Sequence, residues 1–241
     1  VGGLGTRFLP ATKSMPKEML PVVDKPLIQY AVEEAANAGI EEFIFVTGRG
    51  KSAIEDHFDH AYELQTMLET RGKKSSLKLV KASIPNPGQI AYIRQQEPLG
   101  LGHAVWCARN FVGSEPVAIL LADDLIHVKP GCLKQMMDTY KIVGGNMLAL
   151  TEVSPEEVPS YGIIEPEEEE DDTLVKVKGL VEKPNISDAP SNLAIIGRYI
   201  LQPQIFETLS SLELGAGGEI QLTDAIAKQI GDERLYGCLL Y

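Results

Sequence analysis

The sequence is poor in cysteine and has no long hydrophobic run, and each shortage excludes a class of protein. Its 241 residues include three cysteines, an odd number without Cys-x-x-Cys spacing, so we expect neither a disulfide framework nor a zinc site. Unpaired cysteines favour a reducing compartment, and we expect a cytoplasmic protein. The longest clean apolar run, Val117 to Ala122, is far shorter than the ~20 residues of a membrane-spanning helix, so we expect no membrane partner.

Positive charge is also scarce. Lys and Arg number 22 against 34 Asp and Glu, and the formal net charge is -12. An acidic surface disfavours binding to the phosphate backbone of polymeric nucleic acid, which we therefore exclude as a partner. Any phosphate that binds must be held by a few placed cations and not by an overall field.

Strand-like and helix-like hydrophobic patterns alternate along residues 1–150, and this alternation favours a Rossmann-like α/β fold. We expect a mixed, mostly parallel central sheet flanked by helices, extended by residues 151–241 within one compact unit. The predicted helices are 25–38, 52–70, 103–111, 130–141, 203–209 and 219–229, and the predicted strands are 42–47, 90–95, 116–122, 147–153, 161–165, 173–182 and 192–201. The acidic run 166–172 is predicted to form an exposed hairpin loop.

A glycine-rich segment, Gly2-Gly3-Leu4-Gly5-Thr6-Arg7, stands near the start of the sequence. Glycines let the backbone approach a phosphate or a base closely, although a plain glycine turn has the same composition. The spacing differs from the GxGxxG dinucleotide fingerprint, and Pro10 and Pro16 forbid a regular helix after it. We therefore expect an irregular loop that carries three cations, Arg7, Lys13 and Lys17.

Lys17 and Asp123 are two further charged candidates, selected by their neighbours in the sequence. Lys17 lies between Pro16 and Pro21, as either a solvated surface lysine or a lysine held against phosphates above the glycine loop. Asp123 directly follows the most apolar predicted strand, where open α/β sheets bind ligands, and its carboxylate suits either Mg²⁺ or the cap of the next turn. Its neighbour Asp124 is expected to orient the loop.

A glutamine and a Glu-Lys pair complete the candidates. The amide of Gln95 has a donor and an acceptor and so matches the edge of uracil or thymine, while Gly100 allows a base to approach. His103 near a helix start is either catalytic or structural, and we favour the structural role. Glu182 can accept hydrogen bonds from a pair of sugar hydroxyls, and Lys183 is expected on the opposite face, where it can contact a phosphate. The alternative is that the two residues form a surface charge pair.

Seven motifs occur in an order that resembles a known family. They are GGLGTR at 2–7, PKEMLP at 16–21, DKPLIQY at 24–30, GLGHA at 100–104, LADD at 121–124, VEKP at 181–184 and GEIQLTD at 218–224. Together they resemble the bacterial UTP–glucose-1-phosphate uridylyltransferases, or UDP-glucose pyrophosphorylases, within the sugar nucleotidyltransferase superfamily. The resemblance covers nearly the whole chain and implies a Mg²⁺-dependent reaction of UTP with glucose 1-phosphate that yields UDP-glucose and pyrophosphate.

The resemblance also implies a role for each matching residue. Nucleotide binding would fall to residues 1–150 and sugar binding to residues 151–241. The implied contacts to uracil are the backbone of Gly2, Gly3 and Gly100 and the side chain of Gln95. The implied phosphate and metal residues are Arg7 and Lys17 for the triphosphate, Lys183 for the sugar phosphate and Asp123 for Mg²⁺. The implied glucose residues are Gly162 and Glu182.

The sequence begins at Val1 without an initiator Met and ends on an apolar, strand-like note at Tyr241, so we expect both ends to be truncated. Relatives in this family continue beyond the position of Tyr241. The missing parts would include an inner strand, a second acidic metal ligand and helices used in subunit contacts, and we expect a homo-oligomer. Two alternatives stay open. One is a thymidylyltransferase or another sugar nucleotidyltransferase, and the other is a non-catalytic paralogue that binds nucleotide and regulates a partner.

Overall fold

The structure is a computed structural model that describes residues 3, 5–167 and 173–240. The helices of this part of the chain are α1 Leu27–Ala38, α2 Ser52–His57, α3 Tyr62–Thr70, α4 Lys74–Ala82, α5 Leu101–Cys107, α6 Arg109–Val112, α7 Cys132–Val143, α8 Ile205–Ser210 and α9 Leu222–Lys228. Its strands are β1 Pro21–Val22, β2 Lys25–Pro26, β3 Phe43–Thr47, β4 Ile90–Arg94, β5 Val117–Leu120, β6 Asn146–Glu152, β7 Gly162–Pro166, β8 Leu174–Glu182, β9 Leu193–Leu201 and β10 Leu235–Leu239. None of the described helices combines the length and hydrophobicity needed to cross a bilayer.

A six-stranded mixed sheet lies at the centre, in the order β5-β9-β6-β10-β8-β7. The α/β class and the flanking helices are thus confirmed. One part of the prediction needs correction, because a mostly parallel sheet was expected. Among the described pairings of this sheet only β10 with β6 is parallel, and the other ladders are antiparallel.

The reason for the antiparallel ladders is the placement of β9. Helix α7 connects β5 to β6, and these two strands run in the same direction because each is antiparallel to β9. A helical crossover fixes the direction of two strands but does not make them neighbours. Here β9, from the second part of the chain, lies between them, and β7 and β8 add an antiparallel hairpin. The direction of β5 and β6 could be predicted from the alternation of strands and helices. Which strands are hydrogen-bonded neighbours in the sheet could not.

Strand β6 shows how the two faces of the sheet are covered. Met147 and Ala149 pack on the face covered by α1 and α7, while Leu148 and Leu150 pack on the face covered by α5, α8 and α9. All four side chains are fully buried. A strand that is buried on both faces has a continuous apolar sequence, as this one does.

Strands β3 and β4 form a separate parallel pair. A slot of about 780 Å³ lies between β3 and β5 and is flanked by α1 and α5. Phe45 of β3 packs in one cluster with Ile28 of α1, Ile54 of α2 and Ala122, which follows β5. This cluster holds the ends of the two strands near the start of α1.

Most predicted elements are confirmed within a few residues, and the differences have local causes. The predicted helix 52–70 is interrupted between α2 and α3, where the side chain of Asp59 accepts a hydrogen bond from the backbone of His60 and competes with helical bonding. The predicted helix 103–111 begins earlier and divides at Ala108. Helix α4 was not predicted and buries none of its side chains. Residues 168–172 of the predicted acidic loop lie outside the described residues.

A buried ion pair connects α1 to the sheet. Arg198 of β9 is only 1 % exposed, and its Nη2 lies 2.8 Å from Oε2 of Glu34 in α1. Glu34 also accepts a hydrogen bond from the backbone N–H of Leu133 at the start of α7. The remaining donors of Arg198 reach the backbone carbonyls of Leu121, Gly197 and Asp124. One guanidinium therefore fixes α1, β9 and the segment that follows β5.

We expect Glu34→Gln to destabilise the fold by about 3–5 kcal/mol, because it leaves the Arg198 charge buried without its partner. The change is measured by urea unfolding at neutral pH. Asp138→Asn is the matched control, since Asp138 pairs with Lys134 on the exposed face of α7, and its midpoint should equal that of the wild type. Equal midpoints for both variants would show that the buried pair does not support the fold.

Candidate functional site

The glycine loop is followed by three short turns of 3-10 helix, at Thr6–Phe8, Ala11–Lys13 and Lys17–Met19. No α-helix forms over this described stretch, as the two prolines predicted. Gly5 has a φ of 68°, and its carbonyl accepts a hydrogen bond of 2.6 Å from the hydroxyl of Thr12. Of the glycines expected to contact the base, Gly3 and Gly100 are described and Gly2 lies outside the described residues.

A buried ion pair that was not predicted lies under the loop. The ammonium of Lys51 donates to Oε2 of Glu18 at 2.7 Å and to the carbonyl of Gly3 at 2.9 Å. Both side chains are almost completely buried. Glu18 is part of the PKEMLP motif, and Lys51 follows the Gly-Arg-Gly turn at the end of β3. The two residues are far apart in sequence, so only the fold shows that they fix the position of Gly3.

Lys17 and Asp123 are brought into direct contact, 2.5 Å between Nζ and Oδ2. A Cβ placed on Gly3 would lie 3.4 Å from the Lys17 ammonium, so the pair lies beside the glycine loop. Burial alone would raise the pKa of Asp123, but the hydrogen bond and the charge of Lys17 outweigh it and hold that pKa below its ordinary value. Asp123 is therefore a carboxylate at neutral pH.

The backbone of Asp124 takes part in the Arg198 network. Its backbone carbonyl accepts a hydrogen bond from Arg198 at 2.9 Å, and its carboxyl group packs against the backbone of Gly197, where a Cβ would overlap it. Burial raises the pKa of Asp124, and the charge of Asp123 adds to the effect. Arg7, which is exposed, lies close enough for its charge to oppose that shift.

Gln95 and Gly100 form a second group of predicted residues in contact. The side chain of Gln95, almost completely buried, donates from Nε2 to the Gly100 carbonyl at 3.0 Å. Gly100 has a φ of 99°, and a Cβ there would lie 2.7 Å from that of Glu219. Next to it, the N–H of Gly102 donates to the Ile220 carbonyl at 2.8 Å. The turn before α5 is thereby joined to the segment before α9.

A third group contains Gly162 and Glu182, which are paired across β7 and β8. The hydroxyl of Thr223, at the start of α9, donates to Oε2 of Glu182 at 2.7 Å. A Cβ on Gly162 would lie 3.2 Å from the same carboxylate oxygen and 3.4 Å from the Thr223 hydroxyl oxygen, so glycine permits this close packing. Thr223 was not predicted as a site residue; its place in the GEIQLTD motif was the available signal.

The position of Lys183 differs from the prediction that it faces away from Glu182. Its φ is 46°, unusual for a residue other than glycine, and its Nζ lies 3.5 Å from Oε1 of Glu182. A residue in extended conformation would alternate to the opposite face of the strand, and the positive φ breaks this alternation. The Lys183 ammonium and the Glu182 carboxylate therefore lie on the same side.

Tyr199 connects the third group to the Asp124 loop. It is buried in β9, and burial raises the pKa of its hydroxyl, with the charges of Glu182 and Asp124 adding to the shift. Both carboxylates therefore lie within electrostatic range of one phenol. A cavity of about 440 Å³ is lined by the ends of β3 and β4 and by Lys51, and includes neither Asp123 nor Glu182.

The described residues contain no cluster of three or more His, Cys, Asp or Glu side chains that could hold a metal ion. Asp123 still fits the way in which proteins bind Mg²⁺, which commonly uses one or two carboxylates, several waters and the phosphates of a substrate. Oδ2 of Asp123 is occupied by Lys17, and Asp123 is 41 % exposed. The donor set therefore suits a metal that arrives with a polyphosphate better than a metal held by protein alone.

Comparison with known proteins gives matches over nearly the whole chain. A family model described as nucleotidyl transferase matches residues 1–240. A UTP–glucose-1-phosphate uridylyltransferase of Bacillus subtilis is 55% identical over 97% of this chain and 80% of its own length. The enzyme of the same name from Komagataeibacter xylinus is 52% identical over 98% of this chain and 83% of its own length.

Solved structures give the same result. A crystal structure of UDP-glucose pyrophosphorylase complexed with UDP-glucose is similar with a TM-score of 0.89 and 47% identity, over 99% of this chain and 88% of that one. A UTP-bound enzyme from Acinetobacter baumannii is similar with a TM-score of 0.89 and 40% identity, over 100% of this chain and 84% of that one.

We expect Lys17→Met to raise the pKa of Asp123, because burial then acts without the opposing charge. The measurement is an NMR titration of the Asp123 carboxyl carbon, and Lys13→Met, in the same loop, should leave it unchanged. Since the folded pKa lies below the unfolded value, the ion pair stabilises the wild type at neutral pH, and this contribution is lost as the pH falls below about 4. An unchanged Asp123 titration in Lys17→Met would exclude the pairing in solution.

Proposed function

Because the chain belongs to the nucleotidyl transferase family, we propose that it transfers a uridylyl group from UTP to glucose 1-phosphate, giving UDP-glucose and pyrophosphate. The proposal is supported by the names of relatives that are 50–55% identical over nearly the full chain. The observation that carries it is the contact of Lys17 with Asp123 beside Gly3. A cation and a carboxylate at a glycine loop are what a metal-bound triphosphate requires.

The proposed reaction needs charge neutralisation more than proton transfer. A sugar phosphate has a second pKa of about 6, so its attacking oxygen is already ionised at neutral pH and no general base is required. That oxygen attacks the α-phosphorus of UTP in line with the departing pyrophosphate. The difficulty is to bring two polyanions together, and Arg7, Lys17 and Lys183 are the catalytic cations that we assign to this task.

The nucleobase is assigned to the loop and to Gln95. The backbone of Gly2, Gly3 and Gly100 lets a flat base approach, and Gln95 hydrogen-bonds to its edge. Lys51 supports this assignment because it fixes the carbonyl of Gly3 from below.

The sugar is assigned to the group at the end of β8. Glu182 accepts hydrogen bonds from glucose hydroxyls, and Gly162, which pairs with Glu182 across β7 and β8, is assigned to the same sugar. Lys183 contacts the sugar phosphate, since its ammonium lies on the same side as Glu182. Its strained backbone supports the assignment, because such conformations are often found at functional sites.

A divalent metal is typical of nucleotidyltransferase-family enzymes, and we propose Mg²⁺ for this chain. Asp123 would hold it through the carboxylate oxygen that Lys17 leaves open. Bound there, the ion would neutralise charge on the phosphates of UTP. Besides its charge toward the phosphates, Lys17 would keep the Asp123 carboxylate ionised and in place.

Three broader assignments accompany the reaction. We propose that residues 1–241 act as one domain, with residues 1–150 binding the nucleotide and residues 151–241 binding the sugar. A cytoplasmic location is supported by the three free cysteines, and burial raises the pKa of Cys132 to about 12, which keeps that thiol protonated. Assembly as a homo-oligomer stays a prediction from the family.

The function is tested by pyrophosphate release from the purified chain with Mg²⁺, glucose 1-phosphate and either UTP or dTTP in competition. We expect release with UTP, and a preference over dTTP that reflects one methyl group, about 1–3 kcal/mol. A preference for dTTP would indicate a thymidylyltransferase. Absence of release with either nucleotide would favour a non-catalytic paralogue.

Lys183→Ala should lower kcat/KM by roughly 10²–10³, the usual effect of removing one preorganised contact to developing charge. Steady-state kinetics with glucose 1-phosphate varied provide the measurement. Lys178→Ala is the matched control, because Lys178 lies on β8, which Lys183 directly follows, and pairs with Glu165 at the surface. If the two alanine variants behave alike, Lys183 does not belong to the site.

A further inference from the structure

The imidazole ring of His103 is held on three sides. Its Nδ1 lies 3.0 Å from Nε2 of Gln95, and its Nε2 lies 3.9 Å from Sγ of Cys107. The ring stacks on the indole of Trp106, with centroids 5.8 Å apart and an angle of 21° between the planes. The position and orientation of the ring are therefore fixed by α5 together with Gln95, which follows β4.

These contacts determine where the ring carries its proton. Nε2 of Gln95 also contacts the carbonyl of Gly100, which can only accept, so this atom must be the amide nitrogen and not the oxygen. An amide nitrogen only donates, and Nδ1 of His103 must therefore accept. The ring is then neutral, with its proton on Nε2 facing Cys107.

These contacts determine which polar atom of the Gln95 side chain is available to a ligand. Both hydrogens of its amide nitrogen are taken, one by Gly100 and one by His103. Its Oε1 accepts no hydrogen bond from any described residue. The side chain consequently offers a ligand an acceptor and no donor.

We propose that His103 is a positioning residue that fixes the amide of Gln95 with its oxygen outward, and thereby selects a pyrimidine that carries a proton on N3. The proposal deepens the proposed function and rests on Gln95 contacting the base. Uracil has an N3–H and can donate to Oε1. Cytosine has an unprotonated N3 and carries its donor on the exocyclic N4, so an Oε1 placed opposite N3 would face another acceptor. The oriented amide of Gln95 distinguishes uracil from cytosine but does not distinguish uracil from thymine, which also has an N3–H.

The hydrogen bond to Gly100 alone would favour the same orientation of the Gln95 amide. His103 therefore adds to an existing preference and does not create it. Without His103, one hydrogen of the buried amide has no partner, and rotation of the amide to offer its nitrogen to a ligand becomes less unfavourable. The loss of one neutral hydrogen bond corresponds to a change of about 3- to 10-fold in relative affinity.

The test compares UTP and CTP, each with Mg²⁺, by calorimetric Kd and by kcat/KM with glucose 1-phosphate. His103→Leu removes the acceptor, and His103→Met, which is unbranched, removes it with a different shape. His103→Asn restores an oxygen acceptor close to the position of Nδ1. His60→Leu is the control, because His60 is exposed and no described side-chain contact involves its ring. Melting temperatures are recorded for every variant.

The wild type and His60→Leu should prefer UTP to the same degree. In His103→Leu and His103→Met we expect the ratio of Kd for CTP to Kd for UTP to fall about 3- to 10-fold, with KM for UTP raised more than kcat is lowered. His103→Asn should restore most of the preference. A purely structural role would weaken both nucleotides equally.

An unchanged ratio in both acceptor-free variants, or equal weakening of UTP and CTP, would overturn the proposal. Gln95→Leu distinguishes base contact by Gln95 from positioning of its amide by His103. Loss of preference in Gln95→Leu but not in the His103 variants would refute His103 alone, and unchanged preference in Gln95→Leu would refute base contact by Gln95. Selective UTP binding without pyrophosphate release would refute the transfer reaction and leave the assignment of His103 standing.

Discussion

The guanidinium of Arg198 lies in the interior of the sheet, and the candidate site depends on where its donors point. It binds the carboxylate of Glu34 on α1 and three backbone carbonyls around the end of β5. A buried ion pair contributes little net stability, since desolvation offsets the attraction, but removing one partner is costly. Its effect here is positional. The carbonyl of Asp124 is held by this network, and Asp123 precedes it in the same short segment.

The second constraint is electrostatic. The chain has a net charge of -12, so its overall field repels the polyanions that we assign as its substrates. The cations Arg7, Lys17 and Lys183 are all exposed or half-buried, but each lies beside a carboxylate or within its range. Pairing with a carboxylate keeps an ammonium in a defined place before a phosphate arrives. A site of this kind relies on short-range contacts, which salt screens less than it screens a long-range field.

Local chemistry in the sequence was sufficient to select several candidate residues that the fold brings into contact. Glycines that permit close approach, a carboxylate after an apolar strand and a lysine between prolines all depend on neighbours in the chain, and Lys17 and Asp123 do meet. The residues that were missed depend on contacts between distant segments. Lys51 lies under the loop because β3 ends there, and Thr223 reaches Glu182 only because α9 packs on β8. The prediction of a mostly parallel sheet failed for the same reason, because β9 lies between β5 and β6.

Determination of the structure with UDP-glucose and Mg²⁺ would test the central assignment most directly, because one ligand reports on all three groups of residues. The account predicts uracil against Gln95 and the glycine loop, the diphosphate between Lys17 and Lys183, and glucose beside Glu182 and Gly162. Density for the nucleotide elsewhere, such as the 440 Å³ cavity at the ends of β3 and β4, would contradict it. So would a complex in which the glucose lies far from Glu182.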